Sequence, residues 1–240
     1  MKISVCMAVY NGSAYLLPQV RSILVQLREQ DELVVVDDAS QDGSVEMLYS
    51  LSDPRLRVHR NDKNLGVLAT FEKGLKLAQG DILFLSDQDD LWLAGKVEKI
   101  LAVFSTSLKI TLVASDAQII DGSGSLVADS FFAQRGRFLA GVLPNLLKNK
   151  YLGCTMAFRR SMLEHFLPIP DEVPMHDMWF GMLNDIYGCT HYIDQPLIAY
   201  RRHGNNLSPS AGAPLMQKFL WRWRLVKNLF PHISQSLLGR

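Results

Sequence analysis

Residues 81–92 read Asp-Ile-Leu-Phe-Leu-Ser-Asp-Gln-Asp-Asp-Leu-Trp, an apolar run that ends in a cluster of carboxylates. A short apolar run bounded by polar residues is typical of a buried strand that leads into a loop. The carboxylates at its end, Asp87, Asp89 and Asp90, repel one another unless a cation lies among them. Mg²⁺ prefers oxygen ligands and is usually held by one or two carboxylates together with substrate phosphates. The stretch therefore predicts a strand end that binds a divalent cation.

Two other interpretations of this stretch compete with a metal site. The acidic residues could simply form a turn that caps the helix predicted to contain residues 96–104. A calcium-binding loop that starts at Asp87 would place Glu98 at its twelfth position, where a bidentate carboxylate belongs. Trp92, however, occupies the sixth position, which requires glycine, so the calcium loop is excluded. The capping turn stays open beside the metal site.

The rest of the first half alternates short apolar runs with amphipathic segments. Strands are predicted at residues 3–9, 33–36, 56–59 and 82–85. Helices are predicted at residues 13–28, 44–51 and 66–78. This alternation indicates βαβ units and a largely parallel sheet. Ligands of such sheets bind beyond the carboxyl ends of the strands, so the polar residues that follow each strand are the first site candidates.

The second half is less regular. Strands are predicted at residues 112–115, 152–158 and 193–200, and a helix at 177–186. Residues 121–137 contain three glycines and are predicted to form an excursion near the site. Such an excursion could act as a lid that keeps water away from the reacting groups.

A second polar turn follows the second predicted strand. Residues 34–44 read Val-Val-Val-Asp-Asp-Ala-Ser-Gln-Asp-Gly-Ser. A carboxylate at a strand end can accept hydrogen bonds from a nucleobase N–H or from ribose hydroxyls. Ser40, Asp42 and Gly43 are typical turn and cap residues. Nucleotide binding and an ordinary strand-to-helix turn both remain open for this stretch.

Taken together, the two turns resemble the GT-A glycosyltransferases of the large inverting family 2. The opening with Tyr10-Asn11 resembles that family's first strand and helix, and Asp87-Gln88-Asp89 resembles its DxD motif. The likeness extends along most of the chain. It implies an α/β fold of the GT-A (nucleotide-diphospho-sugar transferase) type, Rossmann-like, with a mostly parallel mixed sheet flanked by helices. The corresponding domain would span residues 1–210.

The resemblance also implies a donor site. Asp38 would bind the base, Tyr10 would pack near it, and Asp87 would contact the ribose or the metal. Residues 151–155, Tyr-Leu-Gly-Cys-Thr, resemble the glycine-bearing loop beside the donor sugar. The implied donor-nucleotide residues are Ala8, Tyr10, Asn11, Asp38, Asp87, Gly153 and Arg201.

Two later elements complete the implied site. Residues 175–179, Met-His-Asp-Met-Trp, resemble the catalytic-base motif of the family, which usually reads Glu-Asp. A histidine at 176 replaces the glutamate and leaves Asp177 as the candidate catalytic base. Residues 200–206 resemble the C-terminal histidine element, in which His203 would join Asp89 in binding Mg²⁺ or Mn²⁺. Arg201 or Arg202 would lie near the phosphates.

Each of these later residues also has a purely structural interpretation. Gly153 could permit close packing. Residues 176–177 could cap a helix, and His203 could be an ordinary surface histidine. These interpretations would all have to hold together and in the right order, so we favour the active-site interpretation.

The implied function is inverting transfer of a sugar from a nucleotide-diphosphate sugar to an acceptor hydroxyl in cell-surface polysaccharide biosynthesis. The motif set is most similar to a rhamnosyltransferase-like branch, which favours a dTDP- or UDP-sugar donor and rhamnose as the candidate sugar. A sugar nucleotidyltransferase is the first alternative, but residues 8–12, Ala-Val-Tyr-Asn-Gly, replace its glycine-rich N-terminal loop. A non-catalytic nucleotide-sugar-binding module is the second alternative.

Composition excludes several other classes. The chain has 240 residues, 48% hydrophobic and 20% charged, with a net charge of +1, so no nucleic-acid partner is expected. Its three cysteines are widely spaced, which argues against a disulfide framework and favours a reducing compartment. No secretory signal and no apolar run of membrane-spanning length occurs, which predicts a cytoplasmic protein.

Residues 211–240 form a predicted basic, amphipathic helical tail. Lys218, Arg222, Arg224 and Lys227 alternate with apolar residues that include Trp221 and Trp223. This pattern is typical of a helix that lies in a membrane interface. Such a tail would suit a glycan or lipid-linked glycan acceptor at the inner face of the plasma membrane. Packing on the domain and a dimer contact are the alternatives.

Overall fold

The computed structural model describes residues 1–204 and 214–238. In these residues the strands are β1 (Ile3–Val9), β2 (Glu32–Asp37), β3 (Leu56–Arg60), β4 (Ile82–Ser86), β5 (Leu91–Trp92), β6 (Leu112–Asp121), β7 (Leu126–Ala128), β8 (Met156–Arg159) and β9 (Thr190–Arg202). The α-helices are α1 (Leu16–Leu24), α2 (Ser44–Ser50), α3 (Val67–Leu77), α4 (Lys96–Thr106), α5 (Phe131–Arg135), α6 (Val142–Leu147), α7 (Leu163–Phe166), α8 (His176–Tyr187) and α9 (Leu215–Leu238).

All these strands belong to one sheet, in the order β3-β2-β1-β4-β8-β6-β9-β5, with β7 paired to β6. The strands β3, β2, β1 and β4 are parallel to their neighbours. Further along, β8 runs antiparallel to both β4 and β6, and β9 runs parallel to β6. The buried strands β1, β2 and β4 are near-continuous apolar runs, as expected for a sheet covered on both faces. The predicted α/β class with a mixed, largely parallel sheet is confirmed.

Several boundaries differ from the sequence-based expectation. The first helix was expected at residues 13–28, but α1 begins at Leu16 because residues 12–15 form a turn. The strand expected at 152–158 begins only at Met156. It is preceded by a 3-10 turn, Gly153–Thr155, in which the N–H and hydroxyl of Thr155 both donate to the carbonyl of Leu152. This side-chain bond favours a turn over an extended chain.

The second half of the sheet is longer than expected. The strands predicted at 112–115 and 193–200 extend to Leu112–Asp121 and Thr190–Arg202. Their parallel register places Asp121 opposite Arg202 at the end of the pair. The excursion at 121–137 forms the hairpin strand β7 and the short helix α5. These additions build a wall beside the carboxyl ends of the first strands.

The tail is helical, as predicted. Leu225 and Leu229 of α9 are fully buried, and His232 packs against Trp179 and Tyr187 of α8. The expected boundary between residues 210 and 211 lies outside the described residues. Within the described residues, no helix has both the length and the apolarity to cross a bilayer. The three cysteines are free thiols, two buried and Cys189 exposed.

Candidate active site

The turn after β1 is tied to the turn after β4 by one side chain. The N–H of Tyr10 donates to Gln88 Oε1 at 2.8 Å, and Gln88 Nε2 donates to the carbonyl of Tyr10 at 3.1 Å. A Cβ on Gly12 would lie 2.5 Å from Gln88 Oε1, so only glycine leaves room for this amide. Tyr10 itself is about half exposed, 48%, which leaves its ring free to contact a ligand.

The same turn is bonded to the turn after β2. Asn11 has a φ of 48°, a left-handed conformation that asparagine tolerates better than most residues. Its N–H donates to Ser40 Oγ, and its Oδ1 accepts from the N–H of Gln41. Ala8, partly exposed near the end of β1, pairs with Val36 of β2. The predicted nucleotide residues of β1 and β2 therefore share one edge of the sheet.

Asp38 holds the segment that leads into α3. One carboxylate oxygen accepts from Asn61 Nδ2 and the N–H of Leu65, both at 2.8 Å, and the other accepts from the N–H of Gly66 at 2.9 Å. Asp38 is buried, so these bonds replace the water it would otherwise bind. Both oxygens retain further lone pairs for a nucleobase donor. Its contact with a base stays a prediction.

The predicted metal ligands Asp89 and His203 meet directly. Asp89 Oδ2 lies 2.8 Å from His203 Nε2, although the two residues are 114 positions apart in the chain. Each side chain is 15% exposed, so both can be reached by a ligand. A carboxylate next to an imidazole is a ligand pair that suits a transition-metal ion such as Mn²⁺.

Arg201 supports this turn from behind. Its Nε donates to the carbonyl of Asp89 at 2.7 Å, and its backbone N–H donates to Asp90 Oδ1 at 2.9 Å. Its Nη1 donates to the carbonyl of Asp121, and its guanidinium lies 4.6 Å from the ring centre of Tyr15. Arg201 is buried. Contact of Arg201 with the donor phosphates stays a prediction.

Asp87 and Asp90 approach each other deeper in the site, together with Cys154. One ligand atom from each lies within 4.8 Å of the others. Burial and the nearby charge of Asp89 raise the pKa of Asp90 to about 7. Burial and the charges of Asp90, Asp89 and Asp177 raise the pKa of Asp87 well above its usual value. The four carboxylates therefore lie in one electrostatic site that disfavours their full ionisation.

Lys96 supplies positive charge beneath these acids. Its side chain is fully buried, and its Nζ donates to the carbonyl of Cys154 at 2.6 Å. The same ammonium lies 4.4 Å from the ring centre of Trp92. Burial lowers its pKa to about 8, even though the acidic groups around it raise it. At neutral pH one ammonium thus faces several carboxylates.

The candidate base Asp177 lies in the first turn of α8, beside the loop that carries Gly153. Burial raises the pKa of Asp177 to about 6, while hydrogen bonds from the N–H groups of Met178 and Gly153 act in the opposite direction. A Cβ on Gly153 would lie 2.8 Å from His176 Nε2 and 3.6 Å from Asp177 Cβ. The predicted loop and the predicted base are therefore neighbours, and glycine is required for their close approach.

His176 is a buried, neutral residue. Its ring centre lies 4.1 Å from that of Phe71, with the two ring planes tilted by 33°, and within the described residues neither ring nitrogen has a hydrogen-bond partner. Burial lowers its pKa to about 3. The residue that replaces the family's usual glutamate thus adds no charge to the site.

A cavity of about 370 Å³ opens beside the site. It is lined by Ile119, Asp121, Val127, Phe131, Gln134, Arg135 and Arg202. Asp121, which lines this cavity, accepts through its carbonyl from Arg201, and Arg201 also donates to the carbonyl of Asp89, so the cavity lies beside the acidic turn. Guanidinium groups and an aromatic ring suit the hydroxyls and ring face of a sugar.

The donor set fits a divalent cation. In the described residues Asp90 Oδ2 is buried and has no hydrogen-bond partner. Four carboxylates, Asp87, Asp89, Asp90 and Asp177, lie close together beside two buried cationic side chains, Lys96 and Arg201. A cation at Asp89 would offset this excess of negative charge.

The sequence missed Lys96, Cys154 and the partnership of Asp90 with Asp87. A lysine in an amphipathic helix reads as a surface residue, so Lys96 gave no signal. Cys154 gave none either, being read only as part of the glycine-bearing loop. Residues 87–90, Asp-Gln-Asp-Asp, did indicate that Asp90 belongs to the acidic cluster.

The comparisons with known proteins identify the family of this chain. The model of the family described as "Glycosyl transferase family 2" matches residues 4–167, more than half of the chain. The chain belongs to glycosyl transferase family 2. As a family member it is a glycosyltransferase, and the matched span contains both the nucleotide turn and the DxD turn.

Two relatives of this family 2 chain show which kinds of protein it is similar to. An uncharacterised glycosyltransferase of Nostoc sp. is 30% identical over 226 residues, which cover 89% of this chain and 68% of the relative. The UDP-Glc:alpha-D-GlcNAc-diphosphoundecaprenol beta-1,3-glucosyltransferase WfgD of Escherichia coli is 28% identical over 188 residues, 76% of this chain and 70% of the relative.

Solved structures share the GT-A fold. TarS of S. aureus (residues 1–349, in complex with UDP) superposes with a TM-score of 0.67 at 19% identity, over 84% of this chain and 61% of that one. The mannosyltransferase PcManGT of Pyrobaculum calidifontis, in complex with GDP-Man and Mn²⁺, superposes with a TM-score of 0.62 at 20% identity. The match covers 98% of this chain and 64% of PcManGT. The chain thus spans about three fifths of these structures.

Proposed function

We propose that this chain transfers a sugar from a nucleotide-diphosphate sugar to an acceptor hydroxyl with inversion at the anomeric carbon. One observation carries the proposal. Asp177, a buried carboxylate with its pKa raised to about 6, lies beside the Gly153 loop, and its charge is felt by Asp87 of the acidic turn. A base poised near neutral pH next to an acidic, cation-binding turn is what such a transfer requires.

In the proposed reaction Asp177 accepts the proton of the acceptor hydroxyl as its oxygen attacks the anomeric carbon. The bond from that carbon to the diphosphate breaks, and the nucleoside diphosphate leaves with the electron pair. A single direct attack inverts the configuration. The Gly153 loop and the cavity beside Arg135 orient donor and acceptor toward each other and exclude water.

Asp89 and His203 are proposed to hold Mg²⁺ or Mn²⁺. Their direct contact supports this assignment, as does the raised pKa of Asp87, which burial and the charges of Asp90, Asp89 and Asp177 cause. A bound cation supplies Lewis acidity that offsets the negative charge of the leaving diphosphate. The Mn²⁺ in PcManGT is compatible with a cation in this fold.

The donor is proposed to lie along the edge formed by β1, β2 and β4. Its contacts would come from Ala8, Tyr10, Asn11, Asp38, Asp87, Gly153 and Arg201. A uridine or deoxythymidine diphosphate is the proposed nucleotide; the UDP-Glc named for WfgD and the UDP bound in TarS support uridine. Rhamnose is the candidate sugar from the motif resemblance.

The proposed acceptor is a glycan or a lipid-linked glycan in cell-surface polysaccharide biosynthesis. Its support is the relative WfgD, whose named acceptor is attached to diphosphoundecaprenol. The proposed location is the cytoplasm, at the inner face of the plasma membrane. Residues 1–210 would carry the transfer chemistry, and residues 211–240 would touch the membrane.

The test is a panel of nucleotide sugars with Mn²⁺ or Mg²⁺, first by thermal shift and then by release of nucleoside diphosphate. Asp177→Asn should lower kcat by about 10³-fold or more while the Kd of the donor stays unchanged, since it removes only the proton acceptor. Asp171→Asn, on the exposed segment before α8, is the matched control.

Other outcomes would point elsewhere. Full turnover by Asp177→Asn would overturn the base assignment. Release of pyrophosphate from a nucleoside triphosphate and a sugar phosphate would indicate a nucleotidyltransferase. Donor binding with no turnover under any condition would indicate a non-catalytic module.

A further inference from the structure

Helix α9 has two apolar faces, of which only one is covered. Leu225 and Leu229 are buried against the domain. A second row, spaced three or four residues apart and therefore on one face of the helix, is exposed to solvent. Its members are Met216, Phe219, Leu220, Trp223, Val226, Phe230 and Ile233. Phe219 and Trp223 are 63% and 61% exposed, unusual values for such large side chains.

Helix α6 is bonded to α9 and also exposes apolar side chains. Arg222 of α9 donates from Nε to the carbonyl of Leu146 and from Nη2 to that of Leu147, both at 2.8 Å, so a cation caps the C-terminal end of α6. Leu143 and Leu147, one helical turn apart, are 69% and 67% exposed. We name the exposed apolar residues of these two helices the α6–α9 surface. It exceeds the scattered apolar residues of an ordinary exposed helix.

The charges within the two segments that form this surface have one sign. Neither residues 135–150 nor residues 214–238 contain an acidic residue. The basic residues in these two segments are Arg135, Arg137, Lys148, Lys150, Lys218, Arg222, Arg224 and Lys227. Lys227 pairs with Glu172 at 3.1 Å, and Arg222 is used in the contact with α6. An apolar row flanked by cations complements an anionic lipid surface.

The surface is connected to the active site. Both α6 and α9 pack against α8, the helix whose first turn carries Asp177. Lys150 donates from its ammonium to the carbonyls of Arg135 and Gly136, and from its N–H to Asn145 Oδ1. The wall of the cavity beside the acidic turn and the helix α6 are therefore held together as one unit.

We propose that the α6–α9 surface docks on an anionic lipid bilayer and so sets the acceptor cavity beside the membrane. The inference rests on the proposed function only for the lipid-linked nature of the acceptor. Two helices from distant parts of the chain take part, so docking does not depend on α9 alone. Apolar side chains enter the headgroup region, while the arginines and lysines contact anionic headgroups.

Vesicle flotation of the full chain tests this surface without donor or acceptor. One set of vesicles contains phosphatidylcholine alone. The other contains phosphatidylcholine with about 30% anionic phosphatidylglycerol. We expect binding to the anionic vesicles that weakens as salt rises. Phe219→Ser with Trp223→Ser, and separately Leu143→Ser with Leu147→Ser, should each weaken binding about tenfold. Trp223 emission should shift to the blue on binding.

The control is the pair Val25→Ser with Leu108→Ser, which removes two apolar side chains that are 82% and 86% exposed at the ends of α1 and α4. It should bind vesicles like the unchanged chain. All variants should release nucleoside diphosphate in lipid-free solution at the unchanged rate. Failure of that release would count against the proposed function and leave the lipid result independent.

Three outcomes overturn the docking proposal. The first is no binding to anionic vesicles. The second is equal binding by all variants. The third is a dimer in lipid-free solution, measured by light scattering, that the α6 and α9 substitutions dissociate; this would assign the surface to a second copy of the chain.

Discussion

The turn after β2 and the turn after β4 are both acidic, yet their carboxylates are in opposite electrostatic states. In the nucleotide turn, hydrogen bonds from Ser44 and Ser13 lower the pKa of Asp42 to about 2, although partial burial raises it. Asp38 in the same turn accepts three hydrogen bonds. In the DxD turn, burial and neighbouring acids raise the pKa of Asp90 to about 7.

The difference shows which part of the site is complete before a ligand arrives. In the turn after β2, Asp38 and Asp42 are bonded by neighbouring groups of the chain, although Asp37 Oδ1 at the end of β2 is buried with no hydrogen-bond partner among the described residues. In the turn after β4, neighbouring acids repel one another, and within the described residues Asp90 Oδ2 is buried with no hydrogen-bond partner; a cation and a diphosphate would relieve both. We infer that shape recognition belongs to the first turn and charge compensation to the second.

The largest effect is expected from Lys96→Met, which should destabilise the turn after β4. Removing the buried ammonium leaves Asp87 and Asp90 without their internal counter-charge, and we expect a loss of about 3–5 kcal/mol of unfolding free energy in metal-free protein. The rise in Tm on adding Mn²⁺ should be larger than in the unchanged chain, because the cation then compensates more charge. Thermal unfolding with and without Mn²⁺ measures both.

The control for this experiment is Lys99→Met in the same helix, where the ammonium is partly exposed and donates to Gln195. It should change neither the stability nor the response to Mn²⁺. An equal Mn²⁺-dependent shift in Lys96→Met and in the unchanged chain would mean that Lys96 is a packing residue only.

Asp38→Ala should destabilise the turn after β2 without changing the response of the protein to Mn²⁺. Three donors lose their acceptor, from Asn61, Leu65 and Gly66, so we expect a loss of about 2–3 kcal/mol in chemical unfolding. The Tm shift with Mn²⁺ should stay as in the unchanged chain. A change in that shift would contradict the separation of the two turns.

The third prediction, which concerns the pH dependence of turnover, has the smallest expected effect. Asp177 must be ionised to accept a proton, and its pKa is raised to about 6. We therefore expect kcat to be constant above this pH and to fall about tenfold per unit below it. The profile is measured as turnover rates between about pH 4.5 and about pH 8, a range that extends roughly 1.5–2 units to either side of the pKa. Folding is checked at each pH. An inflection near the ordinary aspartate value would mean that another group limits the reaction.

The sequence predicted the parallel strands because their apolar runs need only local patterning. It also predicted the contact of Asp89 with His203, by family resemblance, although 114 positions separate them. The outcome at Leu152–Thr155 was different, because a side-chain hydrogen bond converts an apolar segment into a turn. No sequence pattern distinguishes that bond from an exposed hydroxyl.

Buried charge was the hardest feature to predict. Lys96 lies in a helix whose other charged residues face solvent, and only the sheet packed above it shows that its side chain points inward. The second apolar row of α9 was visible in the sequence, but its connection to α6 was not. That connection depends on Arg222 reaching two carbonyls 75 and 76 residues away.

The amide of Gln88 has a consequence for donor choice. Because it bonds both backbone groups of residue 10, the exit of β1 and the turn after β4 keep a constant separation. A donor bound as proposed, with its base near Tyr10 and its diphosphate near Asp89, would therefore have to span that one distance whatever sugar it carries.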